Sequence, residues 1–429
     1  MNLPDTADVV VIGGGITGAA TAAAAAARNA SVVLIEKETG PAREGSGRAQ
    51  GSLRVQGRHG SEFPLAQEAL RLWAEAVAEA DFEFVRGGNL YFCTSEDELP
   101  ILQHLVSQAH TAGLAEVQLL DADQVREIMP CATGPFLGAM WSPVDAQCQP
   151  EKGTELYIRR AEKSGAHIGF GVKATRLVEN RGRIVAVDTT VGRVHAGAVV
   201  AAAGVWTPHL ARTVGLRIPI MAVIMSELET RPVEPLFQQT IRAFGFGARQ
   251  RPNGRVVVSA GLNAKVTHSV TLADLSGVRY WLPRAMSFRN NVKVAVDIAG
   301  IMRQLRHRSV LSTDLVPHES PEPPCDRPLV HSALDRLAAV VPDLKGVAPV
   351  RYWGGLIDLT PDGLPVIDGQ VGPDGLTVIT GLSGHGFTLG PVLGEIACDL
   401  ALNGHTNRDI EPFRLSRYRG KVSQPEMMI

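Results

Sequence analysis

Val9-Val10-Val11-Ile12-Gly13-Gly14-Gly15-Ile16-Thr17-Gly18, then the almost unbroken alanine run 19–27, then Ser31-Val32-Val33-Leu34-Ile35-Glu36, is the stretch on which the reading of this chain turns. A short β-branched run reads as a buried parallel strand. Glycines spaced G-x-G-x-x-G follow it at once, and the alanines read as a helix of very small volume. A second β-branched strand ends in an acid. Each part has a physical task. Gly13 permits a tight turn, Gly15 lets backbone amides approach a pyrophosphate, and Gly18 allows helix and strand to pack closely. The helix start offers unpaired N–H groups to phosphates. Glu36, the acid about 20 residues on, is placed to accept from a ribose diol. A carboxylate at that position favours FAD or NAD over NADP, and the rest of the chain must separate those two.

The composition sets bounds. A chain of 429 residues is long enough for two domains with substantial cores. Apolar content of 45%, charged content of 20% and a net charge of −2 describe an ordinary globular protein with no general pull toward nucleic acid. Cys93, Cys131, Cys148, Cys325 and Cys398 are scattered without a C-x-x-C pair, so neither a metal site nor a disulfide framework is expected. Reducing, cytoplasmic surroundings are the expectation, with peripheral attachment at a membrane left open. Asp5 and Asp8 stand where a leader would be basic, and no long uninterrupted apolar run suggests a transmembrane segment.

Outward from the opening unit, residues 41–60 form a Gly-, Ser- and Arg-rich loop able to run over a cofactor and serve its phosphate or ribityl oxygens through Ser46 and backbone amides. Amphipathic spacing predicts helices over 63–80, 96–113, 121–129 and 151–164, and the Gly87-Gly88 pair a hairpin over 82–93. Strands are expected at 166–171, 174–179, 183–190 and 193–196. A buried strand from Ala198 then runs into Gly204-Val205-Trp206-Thr207 and a helix over 208–214. Residues 217–345 are harder to read. Alternating segments at 220–224, 255–260 and 269–272 suggest an antiparallel sheet, interrupted by a helical pair over 275–286 and 291–305. The apolar surface of that pair, broken by Arg303, Arg306 and Arg308, would suit internal packing, a partner subunit or a membrane surface. A loop at 320–324 and a helix over 332–341 follow. Toward the C-terminus come strands at 351–356, 364–368 and 376–380, then Gly381-Leu382-Ser383-Gly384-His385-Gly386-Phe387-Thr388 and a helix over 389–402. A helix start there could stabilise negative charge on a reduced flavin ring, which a nicotinamide does not require.

With these motifs in order, the chain resembles the D-amino-acid oxidase / glycine–sarcosine oxidase superfamily of FAD-dependent oxidoreductases over nearly its whole length. The resemblance rests on G-G-G-I-T-G with Glu36, on A-A-G-V-W-T at 202–207, on W-G-G-L-I-D-L-T-P-D-G at 353–363 and on G-L-S-G-H-G-F-T-L-G-P at 381–391. Arg54-Val55-Gln56-Gly57-Arg58 with Leu65-Ala66 and Leu72-Trp73 is similar to β subunits of opine, hydroxyproline and sarcosine dehydrogenases. The resemblance implies an α/β fold, with a discontinuous Rossmann-like FAD-binding domain (1–80, 151–215, 346–429 with a C-terminal helix) and an antiparallel-sheet α+β substrate domain (81–150, 216–345). It implies FAD contacts from Gly13, Gly15, Ile16, Thr17, Glu36, Lys37, Ser46, Arg48, Ala49, Gln50, Gly51, Ser52, Ala174, Gly204 and Trp206. At the C-terminal end it implies Gly355, Leu356, Gly384, His385, Gly386, Phe387, Thr388 and Leu389. The implied chemistry is hydride transfer from a substrate C–N bond to flavin N5, giving an imine that hydrolyses. Positioning of the amine then does most of the catalytic work.

Two departures stand out. The arginine that often clamps a substrate carboxylate two residues after W-x-G is Ile357 here, which leaves Arg54 and Arg351 as candidates. Gly355 occupies the place of the FAD-linking cysteine of monomeric sarcosine oxidases, so non-covalent FAD is expected, with Cys148 read as a buried small hydrophobe. His385 either approaches flavin and substrate or caps its helix. The leading expectation is an amine or amino-acid oxidoreductase with a small-molecule substrate, as a homo-oligomer or on its own. Its alternatives are a catalytic subunit passing electrons to partner chains, and an FAD-bound scaffold whose activity has decayed.

Overall fold

The computed structural model describes residues 3–261, 266–270, 280–281, 292–296, 298, 302 and 323–419. Two large sheets organise it. In the first, β1 (Thr6–Ile12) lies between β2 (Val32–Glu36) and β11 (Gly192–Ala201), with β8 (His167–Phe170) beyond β2. On the other side β20 (Leu376–Thr380) and β19 (Val366–Asp368) follow β11, which also carries β10 (Arg183–Thr189) and β9 (Ala174–Asn180). The pairs from β8 through β20 are parallel, as buried Val/Ile/Ala runs on both sides of a β-α crossover require.

The second sheet runs in the order β18 (Pro349–Leu359), β12 (Met221–Thr230), β15 (Val256–Ala260), β14 (Phe246–Gln250), β13 (Thr240–Ala243), β4 (Asn89–Cys93), β6 (Gly138–Ser142), β5 (Gln118–Asp121). All its pairs are antiparallel except β13 with β4. Small two-stranded pairings join β3 (Ser52–Leu53) to β7 (Ala146–Gln147) and β16 (Val266–Val270) to β17 (Val292–Val296).

Helices α1 (Ile16–Ala27), α2 (Phe63–Ala76), α5 (Pro150–Lys163) and α8 (Gly386–Asn403) pack together beside the first sheet. The alanines of α1 let it approach α8 closely: a Cβ on Gly394 would sit 2.4 Å from that of Ala20. Helices α3 (Leu99–Thr111), α4 (Ala122–Ile128) and α7 (Arg327–Val340) attend the second sheet, and α6 (Thr207–Arg212) follows β11.

Several local expectations are corrected. Residues 82–93 are no hairpin: Val85 bridges Gln147, and β4 pairs with β6 and β13. Gly87 serves a close crossing instead, since a Cβ there would lie 2.0 Å from the Gln238 carbonyl oxygen. The strands expected on either side of Gly197 are one strand, β11, and the missing side chain admits the Asp8 carbonyl, 2.8 Å from where a Cβ would be. Val292–Val296 is a strand rather than the start of a helix, as the alternation Val292, Val294, Val296 accommodates. The β18 segment pairs in the second sheet, and α8 begins at Gly386, three residues earlier than expected. Of the helix expected over 275–286 only Tyr280 and Trp281 are described, and most of 297–310 and residues 320–322 lie outside the described residues. Among the described residues no helix is long and apolar enough to cross a membrane.

Candidate active site

A cavity of about 840 Å³ lies between the two sheets, and both the first turn of α1 and the first turn of α8 reach it. It touches every residue expected at the cofactor except Leu389, which is fully buried in the core behind α8. That exception has a simple cause. With α8 starting at Gly386, residue 389 falls on the helix face turned toward the core.

The α1 end is built from absent side chains. Gly13 turns with φ of 116°, and a Cβ there would lie 2.4 Å from the Ala202 carbonyl oxygen. A Cβ on Gly18 would meet the Gly13 carbonyl at 1.9 Å. Gly15 caps α1 in an extended conformation with no side-chain cap, and a Cβ on it would meet only Ser46 within 4 Å. The site therefore offers the space and the amides that a phosphate group needs. Ser46 Oγ accepts from Ile16 N–H at 2.9 Å. The Glu36 carboxylate accepts from Gly14 N–H at 2.6 Å and Glu38 N–H at 2.7 Å. Burial pushes Glu36 up from the ordinary carboxylate range, against those two donors. The Trp206 indole nitrogen on this wall is buried with no hydrogen-bond partner. Lys37 pairs with Glu38 and Glu44 and lies 4.3 Å from the Trp206 ring centre, so its charge braces the loop.

The 41–60 loop joins the two sheets. Arg48 donates to the Gly354 carbonyl at 2.9 Å, while the Trp353 indole donates to the Arg48 carbonyl at 3.3 Å. Arg249 donates to the Gln50 carbonyl, and Gly51, at φ of 91°, lies so close to Cys148 that a Cβ would be 2.2 Å from its carbonyl oxygen. Cys148 itself is buried, as expected, and does not line the cavity.

Beyond this loop the cavity becomes charged. Arg54 and Arg242 both line it, and burial pushes both guanidiniums below their usual range, helped at Arg54 by the charges of Arg242 and Arg58 and at Arg242 by that of Arg58. Arg54 N–H donates to Thr388 Oγ1 at 3.2 Å, tying the loop to the first turn of α8. Behind them Arg58, Glu62 and His385 form a sealed network. Arg58 Nη1 is 3.3 Å from Glu62 Oε1, His385 Nδ1 is 3.4 Å from the same oxygen, and Arg58 Nη2 donates to the His385 carbonyl at 3.4 Å. Burial alone would raise Glu62, but His385 and Arg58 hold it down to about 2. Burial pushes the His385 imidazole below its usual value although Glu62 pulls the other way. Asp145, fully buried beneath the same loop, accepts from Val55 N–H at 2.8 Å, and burial pushes it up to about 6.

A glycine turn, an acid at the second strand and a second helix start around one cavity are what a bound dinucleotide flavin requires. The FAD-dependent oxidoreductase family model matches residues 8–400. The chain belongs to that family. FAD is the family's cofactor, and the residues here fit it: the Gly15 cradle, the open α1 terminus and the unpartnered Trp206 N–H all face the cavity. The chain is 28% identical to a glycine oxidase of Geobacillus kaustophilus over 427 residues, covering 97% of this chain and 98% of the relative. It is 27% identical to an N-methyl-L-tryptophan oxidase of Salmonella arizonae, covering 96% and 99%. An L-amino acid deaminase from Proteus myxofaciens superposes with a TM-score of 0.87 at 23% identity, covering 98% of this chain and 95% of the deaminase.

Of the two arginines considered for a carboxylate clamp, Arg54 reaches the cavity and Arg351 does not. Arg351 is exposed, with its guanidinium 4.9 Å from the Trp353 ring centre. Ile357 lines the wall where the usual clamp would stand. Sequence reading missed Arg242, Glu227, Arg249 and Glu62. The first three are charged residues inside strands, and that interruption of an apolar pattern was the available signal. Glu62 carried none, because its partners lie at position 58 and across the chain at 385.

Proposed function

We propose that this enzyme oxidises a C–N bond of a small amine or amino acid at non-covalently held FAD, giving an imine that hydrolyses to a carbonyl compound. The observation that carries this reading is one cavity in which a glycine-built helix start meets a second helix start flanked by the buried Arg54 and the half-buried Arg242. FAD, when bound, supplies the hydride acceptor. Gly13, Gly15, Ile16, Thr17 and Ser46 would hold its pyrophosphate, Glu36 its ribose, and Ala174, Lys37, Gly204 and Trp206 the adenosine side. Arg48 through Ser52, Gly355, Leu356 and Gly384 through Thr388 would hold the ring and ribityl chain. Arg54 with Arg242 would hold the substrate carboxylate that Ile357 cannot, since guanidinium pairs suit bidentate carboxylate recognition. A neutral His385 and low-dielectric walls favour the uncharged amine over the ammonium, which is the form that gives up hydride.

Relatives named as oxidases of glycine and of N-methyl-L-tryptophan support the amine class. The absence of a cysteine among the described lining residues supports non-covalent attachment, and five unbridged cysteines suit a reducing compartment. In the same reading the two-domain division follows the segments set out above, with residues 349–359 serving the substrate sheet. The test is a visible spectrum before and after acid precipitation, then anaerobic addition of amines and amino acids. Yellow supernatant and bleaching by an amine-bearing compound are expected. Colour kept in the pellet would overturn non-covalent attachment, and a flavin that no such compound reduces would overturn the activity.

A further inference from the structure

One cross-strand row of the substrate sheet, facing the cavity, runs Glu227–Ser259–Gly247–Arg242 through the register of β12, β15, β14 and β13. Its ends carry opposite charge types. Three strand-to-strand steps separate the backbones of Arg242 and Glu227, about 14 Å before the side chains reach inward. At one end Arg242 and Arg54 gather cationic charge. At the other, Glu227 is 5% exposed, lines the cavity, and has a buried Oε2 with no hydrogen-bond partner. Such an oxygen costs free energy unless something reaches it, and the residue that carries it lines the cavity. Gly247, in the middle of the row, carries no side chain, and the Ser259 hydroxyl and the Gln50 amide border the space a Cβ would take there, at 2.7 and 3.2 Å.

Resting on the activity proposed above, we infer that Glu227 receives a cationic group at the far end of the substrate, so that the cavity takes an amino acid carrying an amine or guanidinium on its side chain. The carboxylate end then meets Arg54 and Arg242, the reacting C–N bond lies between, and the side-chain cation reaches β12. The groups facing Glu227 suit this role. Trp353, whose indole N–H also goes to the Arg48 carbonyl, stands opposite it on β18 and, with Arg249 on β14 and Arg351 on β18, draws its proton off, while Glu151 on α5 opposes them. Burial outweighs them all and pushes the carboxyl up to about 8, so an arriving cation supplies the counter-charge that ionises it.

The experiment uses the holoenzyme and reads flavin absorbance changes under anaerobic titration with lysine, ornithine and arginine. Norleucine serves as the uncharged counterpart and glutamate as the acidic one, each in both enantiomers. About tenfold or tighter binding of the cationic members over norleucine is expected, and Glu227→Gln should bring the two together while keeping wild-type flavin content. Equal binding of lysine and norleucine by the wild type overturns the inference, as does a preference for glutamate or a preference that survives in the variant. The wild-type comparison stands even should the variant fold poorly. Bleaching without charge preference would overturn this inference alone, whereas no response to any amino acid would overturn the proposed activity with it.

Discussion

At the α1 end of the cavity the wall is made by what side chains lack, whereas at the α8 end it is made by charges sealed from water. Gly13, Gly15 and Gly18 work through missing Cβ atoms, and one carboxylate, Glu36, completes the turn. The α8 start is held by Arg58, Glu62 and His385, all at most 8% exposed, and by Thr388 accepting from the Arg54 amide. The phosphate cradle at the α1 end should therefore answer chiefly to added volume, and the Arg58–Glu62–His385 network at the α8 end chiefly to pH. The reason is the kind of ligand surface each presents: bare backbone amides near the second strand, and an electrostatically biased wall near the reacting atoms.

The sharpest way to break the comparison is volume. Gly18→Val places a side chain against the Gly13 carbonyl, where an added Cβ already sits at 1.9 Å, so the variant should fail to yield folded protein. Gly15→Val meets only Ser46 Oγ, at 2.9 Å, and should fold while losing flavin. Soluble yield, melting temperature and the ratio of flavin to protein absorbance separate the two. A Gly15→Val holoenzyme with full flavin would refute the phosphate cradle.

Next comes charge. Glu62→Ala leaves the Arg58 guanidinium buried without its carboxylate, which costs about 3–5 kcal/mol in such pairs. The pH sign follows from the shift. Glu62 is held at about 2, below the ordinary 4.5, so its contribution is complete above pH 4.5 and drains as the pH falls toward 2. Urea midpoints between pH 7 and pH 3 should show a steeper acid decline in the wild type than in the variant. Parallel curves would mean that the network carries no ionised carboxylate.

How much of this was legible follows from the same contrast. The α1 end is local: strand, turn, helix and acid lie within one short span, so glycine spacing and β-branched runs suffice, and the parallel core of the first sheet follows from them. The α8 loop was legible as Gly384-His385-Gly386, but its supports were not, because Arg58 and Glu62 meet His385 only after folding. Gly87, just ahead of β4, and Gly197, inside β11 of the first sheet, read as breaks in the chain although they serve close crossings with Gln238 and Asp8. A missing side chain looks the same in sequence whether the backbone turns there or merely passes close to another strand. Strand neighbours such as β13 beside β4 leave no local trace at all.

A smaller effect is expected at Glu36. Its two backbone donors keep it in place without a ligand, so Glu36→Ala should fold normally and weaken FAD by roughly 1–3 kcal/mol, the scale for a hydrogen bond to a charged group. Fluorescence titration of apoprotein with FAD measures it. Unchanged affinity would assign the ribose to another group and remove the one electrostatic element credited to the α1 end.

The finest test sets two buried carboxyls, Glu62 and Glu227, against each other. Glu62 is drawn down by an adjacent guanidinium and imidazole, whereas Glu227, further from compensating charge, is pushed up to about 8 by burial. A folded-state value above the ordinary 4.5 means that the folded chain keeps a proton which the unfolded chain releases. Stability is then complete below pH 4.5 and lost as the pH rises through about 8. Glutamine mimics the protonated carboxyl without titrating. Holoenzyme carrying Glu227→Gln should therefore melt with the wild type near pH 4.5, and progressively above it as the pH approaches 8. A difference independent of pH would mean that the Glu227 carboxyl is already ionised and partnered, and the two ends of the cavity would no longer differ in the way their charges are compensated.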